Sequence, residues 1–204
     1  MSAFTETLTI ISSLCGESKI SRSGSDRLAK KHTVPAGKAG VVTSVAEGSA
    51  VLTLGADHGI TSAVKVGVFW DDGQRIDMTV TANNATTITV TVATGTGTAF
   101  PIATTAIIVS VQTLKSEVAF SATSMEMLSV KCPQRAGVNF LDDADGSLLA
   151  VAIAAPATSE GPGESYSWAS DTGNAVPITG TVAAVSLYNG SEVETDVTIG
   201  VLIA

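Results

Sequence analysis

Histidine is the side chain best suited to moving protons near neutral pH, and this chain of 204 residues has two, His32 and His58. His58 follows Asp57 in Leu54-Gly55-Ala56-Asp57-His58-Gly59, an acid–imidazole pair of the kind that orients a general base. Neighbouring residues on a strand point to opposite faces, so Asp57 could orient His58 only inside a turn. Asp and Gly around the histidine favour a structural turn, capped by Asp57 and closed by Gly59. A serine hydrolase needs a serine brought to a histidine and a carboxylate, and the chain has no Gly-x-Ser-x-Gly elbow.

Phosphate and metal motifs are incomplete. Pro35-Ala36-Gly37-Lys38-Ala39 is similar to the end of a P-loop, but position 32 is His where the upstream glycine belongs. Ala39 stands where a Ser or Thr would hold magnesium. Gly95-Thr96-Gly97 lacks the third glycine and the following helix of a dinucleotide site. The acidic run Asp142, Asp143, Asp145 offers the best metal ligands, with Asp143 and Asp145 as candidates for a calcium loop outside the EF-hand pattern. An EF-hand register would put Leu141 first and Ala152 twelfth, where carboxylates are required. The competing reading is a solvated Asp-Gly turn. Asp71-Asp72 falls at a hairpin tip, a poor place to shield carboxylates for glycoside hydrolysis. Trp70 and Trp168 could form a sugar-stacking platform, but with 4% aromatic residues they read better as core anchors. Cys15 and Cys132 are too few for a disulfide framework and read as free thiols. The sequence therefore predicts no catalytic residue, no cofactor and no enzyme activity.

The elements that would position any site are β-strands. Thr79-Val80-Thr81 leads through Asn83-Asn84 to Thr87-Ile88-Thr89-Val90-Thr91-Val92, the period-2 alternation of half-buried strands. Strands are expected at 4–12, 28–34, 40–45, 50–54, 64–70, 75–81, 86–93 and 106–112. A second group is expected at 117–121, 127–131, 148–154, 166–169, 180–188 and 195–203. Asp71-Asp72-Gly73-Gln74, Asn83-Asn84 and the Asn189-Gly190 region carry turn chemistry. Residues 16–27, rich in Ser, Gly and charge, read as a loop or arm. Helical turns are expected only at 25–31 and 124–128. The reading is all-β: an antiparallel β-sandwich and/or a small β-barrel, in two β-rich subdomains. The divisions are 1–35 for an N-terminal strand and basic arm, 36–115 for a small barrel or sandwich, and 116–204 for a sandwich. One larger sandwich with an inserted barrel is the alternative, should the N-terminal strand pair with C-terminal ones.

Charge is low and uneven. Charged residues are 15% of the chain, below the roughly 25% usual for soluble domains, which suggests surface buried against other chains. The net charge of -8 argues against nucleic acid as a partner. Lys19, Arg22, Arg27, Lys30, Lys31 and Lys38 nevertheless fall in one stretch, opposed there only by Asp26. It reads either as a solvated basic segment or as an arm that docks on an acidic neighbour. Met1–Glu6 lacks a secretory n-region, and no run approaches the ~18 apolar residues of a membrane span, so no membrane partner and cytoplasmic synthesis are expected. Without that signal, the glycosylation patterns Asn84-Ala85-Thr86 and Asn189-Gly190-Ser191 carry no meaning.

Leu54-Gly55-Ala56-Asp57-His58-Gly59-Ile60, with Val-Lys-Val-Gly-Val-Phe-Trp at 64–70 and Gly-Gln-Arg-Ile-Asp-Met-Thr-Val at 73–80, resembles a small-barrel segment of phage-type virion proteins. The Thr/Val/Ala/Gly-rich, acidic texture of the whole chain resembles decoration, minor capsid and tail proteins of tailed bacteriophages. The resemblance implies a non-enzymatic structural component of a phage particle, made in the host cytoplasm and located in the virion. Its implied partners are copies of itself, a trimer among the expected states, and other virion proteins such as the major capsid protein. Residues 1–35 are the expected interlocking arm, with Lys19, Arg22, Arg27, Lys30 and Lys31 as its basic residues, and their deletion is expected to stop assembly while leaving 40–204 folded. The alternatives are a tail-tube, collar or adaptor protein, and a carbohydrate-binding β-sandwich of a fibre or adhesin read out through Trp168 or Tyr188.

Overall fold

The computed structural model describes residues 4–12, 16–24, 26–70, 74–92, 100–116, 120–121, 124–132, 134–141, 165–169, 178 and 180–203, of which 4–28 and 165–169 are described by backbone alone. The protein is all-β, as the alternation requires, and no α-helix occurs among the described residues.

A closed barrel is built from β4 (Lys38–Ala46), β5 (Ser49–Leu54), β6 (Lys65–Trp70), β7 (Gln74–Asn83), β8 (Thr87–Thr91) and β9 (Ala106–Val111) in the order β4-β5-β8-β7-β6-β9. Every pair is antiparallel. Alternation explains the closure. Leu52, Val66, Val68, Val80, Ile88, Val90 and Val109 turn inward and are essentially inaccessible. Trp70 joins this interior and stacks obliquely on Phe100 at 6.3 Å, so it is a core anchor. A barrel of this size is filled by its own side chains. Thr53, Thr87, Thr89 and Thr91 take the outward positions. The Asn83-Asn84 turn forms as expected, with Asn84 Oδ1 accepting the N–H groups of Thr86 and Thr87 at 2.9 and 2.8 Å.

The sandwich is assembled from both sides of the barrel in sequence. β3 (Asp26–Val34), β12 (Met125–Lys131), β14 (Ser165–Ala169) and β17 (Thr195–Ile203) form a sheet in the order β14-β12-β17-β3. β10 (Thr113–Lys115), β13 (Ala136–Leu141) and β16 (Ala184–Asn189) form a second, ordered β10-β16-β13. β11 (Phe120–Ser121) pairs with β15 (Thr181–Val182). Val34, Leu128, Val130, Phe140, Val185 and Ile199 pack between them, with Phe120 edge-on to Phe140 at 6.1 Å. The barrel is thus inserted between β3 and the rest of its sheet.

β1 (Phe4–Ser12) and β2 (Gly16–Gly24) form a separate antiparallel hairpin. The loop expected at 16–27 is therefore corrected: β2 occupies most of it, because nine cross-strand pairs with β1 override the weak strand preference of Ser, Gly and Lys. The helical turn expected at 25–31 is strand β3, held by nine pairs with β17. That expected at 124–128 is strand from Met125 onward. The strand expected at 148–154 lies outside the described residues.

Candidate functional site

His58 is a structural staple. Its Nδ1 accepts the Ile60 N–H at 3.0 Å, which leaves the proton on Nε2, and Nε2–H donates to the Asn84 carbonyl at 2.9 Å. The ring is buried, whereas Asp57 is exposed in a left-handed conformation (φ 61°). Asp57 therefore forms the turn and does not orient the imidazole. A shallow cleft of about 540 Å³ lies between the 57–61 turn and Asn83-Asn84, and of its lining residues His58 is already bonded to Ile60 and Asn84. His58→Ala should cost about 1–3 kcal/mol in urea unfolding, since it leaves a buried N–H and a carbonyl without partners.

The P-loop-like segment also proves structural. Gly37 N–H donates to the Ser191 carbonyl at 2.8 Å, and a Cβ on Gly37 would lie 2.7 Å from the Asn189 carbonyl oxygen. The backbone that would cradle a phosphate is packed against another loop. Asn189 itself is fully buried, which removes it as a glycan acceptor in the folded chain. Asp143 and Asp145 lie outside the described residues, as do Asp71 and Asp72. Among the described residues no cluster of three His, Cys, Asp or Glu could hold a metal ion. Cys132 is buried in the sandwich core, and Cys15 lies outside the described residues.

The densest polar chemistry sits where the barrel meets the sandwich. β6, β13 and β16 are buried on both faces: one lines a core, the other faces the opposite unit. Arg75 on β7 pairs with Asp77 two residues along (Nε to Oδ1, 3.1 Å) and donates to Asn139 Oδ1 on β13 at 2.6 Å. Asn139 Nδ2 closes the triangle on Asp77 Oδ2 at 2.5 Å. The Arg75 guanidinium lies over the Tyr188 ring at 5.0 Å and the Phe69 ring at 5.9 Å. Burial pushes its pKa down, against the opposing pull of Asp77 and Tyr188. On the other flank Arg135 donates to the Trp70 and Gln74 carbonyls, both at 2.8 Å, and stacks on Phe69 at 5.3 Å. Gly67 gives Tyr188 its seat, because a Cβ there would meet the ring at 2.9 Å. Gln112 Nε2 bonds Ser186 Oγ at 2.5 Å, and the Asn189 N–H bonds Ser110 Oγ at 2.8 Å. The arrangement holds two units at one angle. It presents no exposed reacting group.

Tyr188 is accordingly no sugar platform, being 1% exposed. Burial, with a further contribution from Asp77, pushes its phenol up to about 12. Below pH 10 both folded and unfolded chains keep the proton, and the contribution to stability is complete. Between pH 10 and 12 the unfolded chain loses it first, so stability should fall by about 2–3 kcal/mol. Tyr188→Phe should remove that alkaline loss, as read by urea midpoints at pH 9 and 11.5. The Trp168 side chain lies outside the description.

The five basic residues are divided between two elements. Lys19 and Arg22 are on β2; Arg27, Lys30 and Lys31 are on β3. Lys31 pairs with Asp196 across the sheet at 2.7 Å, both exposed, and with the Thr33 hydroxyl it holds that carboxyl below its ordinary range. Deleting residues 1–35 would thus remove a strand of the sandwich along with the hairpin, so the expectation of a folded 40–204 core is corrected by the pairing of β3 with β17. The junction of Arg75, Asn139, Tyr188 and Asn189 was not foreseen from sequence. Its signal was Arg75 and Asp77 on one face of a strand, and Gly67 in the middle of an apolar one. No family model matches the chain, and no curated protein matches it.

Proposed function

We propose that this chain is a non-enzymatic structural component of a phage particle, a decoration or minor capsid protein that binds copies of itself and neighbouring capsid subunits. The observation that carries the reading is the barrel wall turned away from the sandwich. Ser49, Val51 and Thr53 on β5 stand beside Thr91, Thr89 and Thr87 on β8, an uncharged sheet face of hydroxyls and methyls. Such a face loses little on desolvation and gains from close packing, because each threonine presents both a methyl and a group able to bond across an interface. The locked junction supports the same role, since a scaffold that fixes the angle between its units sets the angle between its neighbours. Val41 and Ile102, 42% and 78% exposed, add apolar contact on the same barrel.

The test is incorporation. Particles produced with the full chain should contain it after density-gradient purification, and Thr53→Lys/Thr89→Lys should fold yet be excluded from them. Purified particles that lack the wild-type chain would overturn the reading.

A further inference from the structure

We infer that β1 of one copy adds to the free edge of β3 in a second copy, joining the two molecules by strand exchange. This rests on the assembly role proposed above and names the surfaces that carry it. β3 pairs with β17 on one side only, and β1 pairs with β2 on one side only, among the described residues. A two-stranded ribbon is marginal in water, and among the described residues this one meets the body chiefly where β2 approaches β12 and β17. Each strand therefore offers an unused row of backbone donors and acceptors.

One antiparallel register satisfies both strands. It sets Phe4 opposite His32, Glu6 opposite Lys30 and Leu8 opposite Leu28, with Thr5, Thr7 and Thr9 opposite Lys31, Ala29 and Arg27. On β3, His32, Lys30 and Leu28 pair with Val197, Ile199 and Val201, which belong to the sandwich core. The more apolar set of β1 thus extends the core face, and its threonines extend the outer face. A shift of one residue would reverse both sets. Lys30 is a cation at a core-facing register position of an edge strand, and Glu6 supplies the matching anion. β3 carries Arg27, Lys30 and Lys31 against Asp26, whereas β1 carries only Glu6.

The strand must come from another copy. In this register β2 and β3 would both run antiparallel to β1, leaving Gly24 opposite Phe4 and Asp26 opposite Ile10. Six residues of strand separate those points, about 20 Å. Ser25 alone joins Gly24 to Asp26, and two Cα steps span at most about 8 Å. The ribbon cannot fold back on its own β3 while β1 stays paired with β2.

Sedimentation equilibrium of the full chain should show self-association. Glu6→Lys and Lys30→Glu should each weaken it about tenfold or more, and an equimolar mixture or the double variant should recover to within about threefold of wild type. Recovery separates a contact between copies from simple damage to the hairpin, where Glu6 is also the register partner of Arg22. In a Cys15→Ser background, a Thr7→Cys chain mixed with an Ala29→Cys chain should form a disulfide-linked dimer, and Thr7→Cys mixed with Thr33→Cys should not. A wild-type chain that stays monomeric at tens of micromolar, or charge variants that associate as wild type does, would overturn strand exchange. A monomer that is still found in purified particles would sink this inference alone; an exchanging dimer absent from particles would sink the virion reading alone.

Discussion

Arg75→Ala should lower stability by about 3–5 kcal/mol, the range found when one partner of a buried ion pair is removed. The side chain is 4% exposed, and its loss strands two groups at once. Asp77 loses its counter-ion and Asn139 Oδ1 loses its donor. Tyr188 and Phe69 lose the cation between their rings. Arg75→Lys should recover little, because an ammonium cannot serve Asp77 and Asn139 in one plane while lying flat over an aromatic ring. Arg75→Leu/Asp77→Leu should cost less than Arg75→Ala, since no charge is then left unpaired. Calorimetry supplies a second readout. The wild-type chain should melt in one transition, and Arg75→Ala in two, as barrel and sandwich separate. One undivided transition at an unchanged temperature would refute the role given to this arginine.

Asn189→Ala should cost about 3–5 kcal/mol, from several buried hydrogen bonds at about 1 kcal/mol each. Asn189 Nδ2 reaches the carbonyls of Val193 at 2.8 Å and Pro35 at 3.1 Å, and its Oδ1 accepts the Ser191 N–H and hydroxyl. One amide thus ties the β3–β4 connection to the β16–β17 connection. Asn189→Asp should be at least as damaging at neutral pH, because a carboxylate would face those carbonyls with no proton to give. Urea midpoints of the two variants decide the matter, and a loss below about 1 kcal/mol in both would refute the tie.

The barrel was readable because its strands have one wet and one dry face. Leu52 and Ile88 alternate with Thr53 and Thr89, and a barrel or a sandwich that buries the apolar set satisfies that pattern. β13 was missed because both of its faces are buried. Gly137 and Asn139 interrupt the apolar run where they meet the barrel, so Ala136–Leu141 shows no clean alternation. The strand expected at 28–34 is β3, whereas β2 was blurred by its serines, glycines and charges, which carry little strand preference of their own. The junction was illegible because Arg75 and Asn139 are 64 residues apart, and nothing local to either announces the other. His58 was legible, since Asp and Gly around it specify a turn whatever the ring does.

The pairing of β3 with β17 also sets a timetable for synthesis. Thr33 and Asp196 bond to each other across 163 residues, so at 5–20 residues per second β3 leaves the ribosome roughly 8–33 seconds before its partner exists. The barrel, contiguous in sequence, can close during that wait. β3 cannot, and a solitary strand of this length is a hazard for nascent chains that meet one another. Its three cations keep such encounters brief until the last strand arrives to claim it.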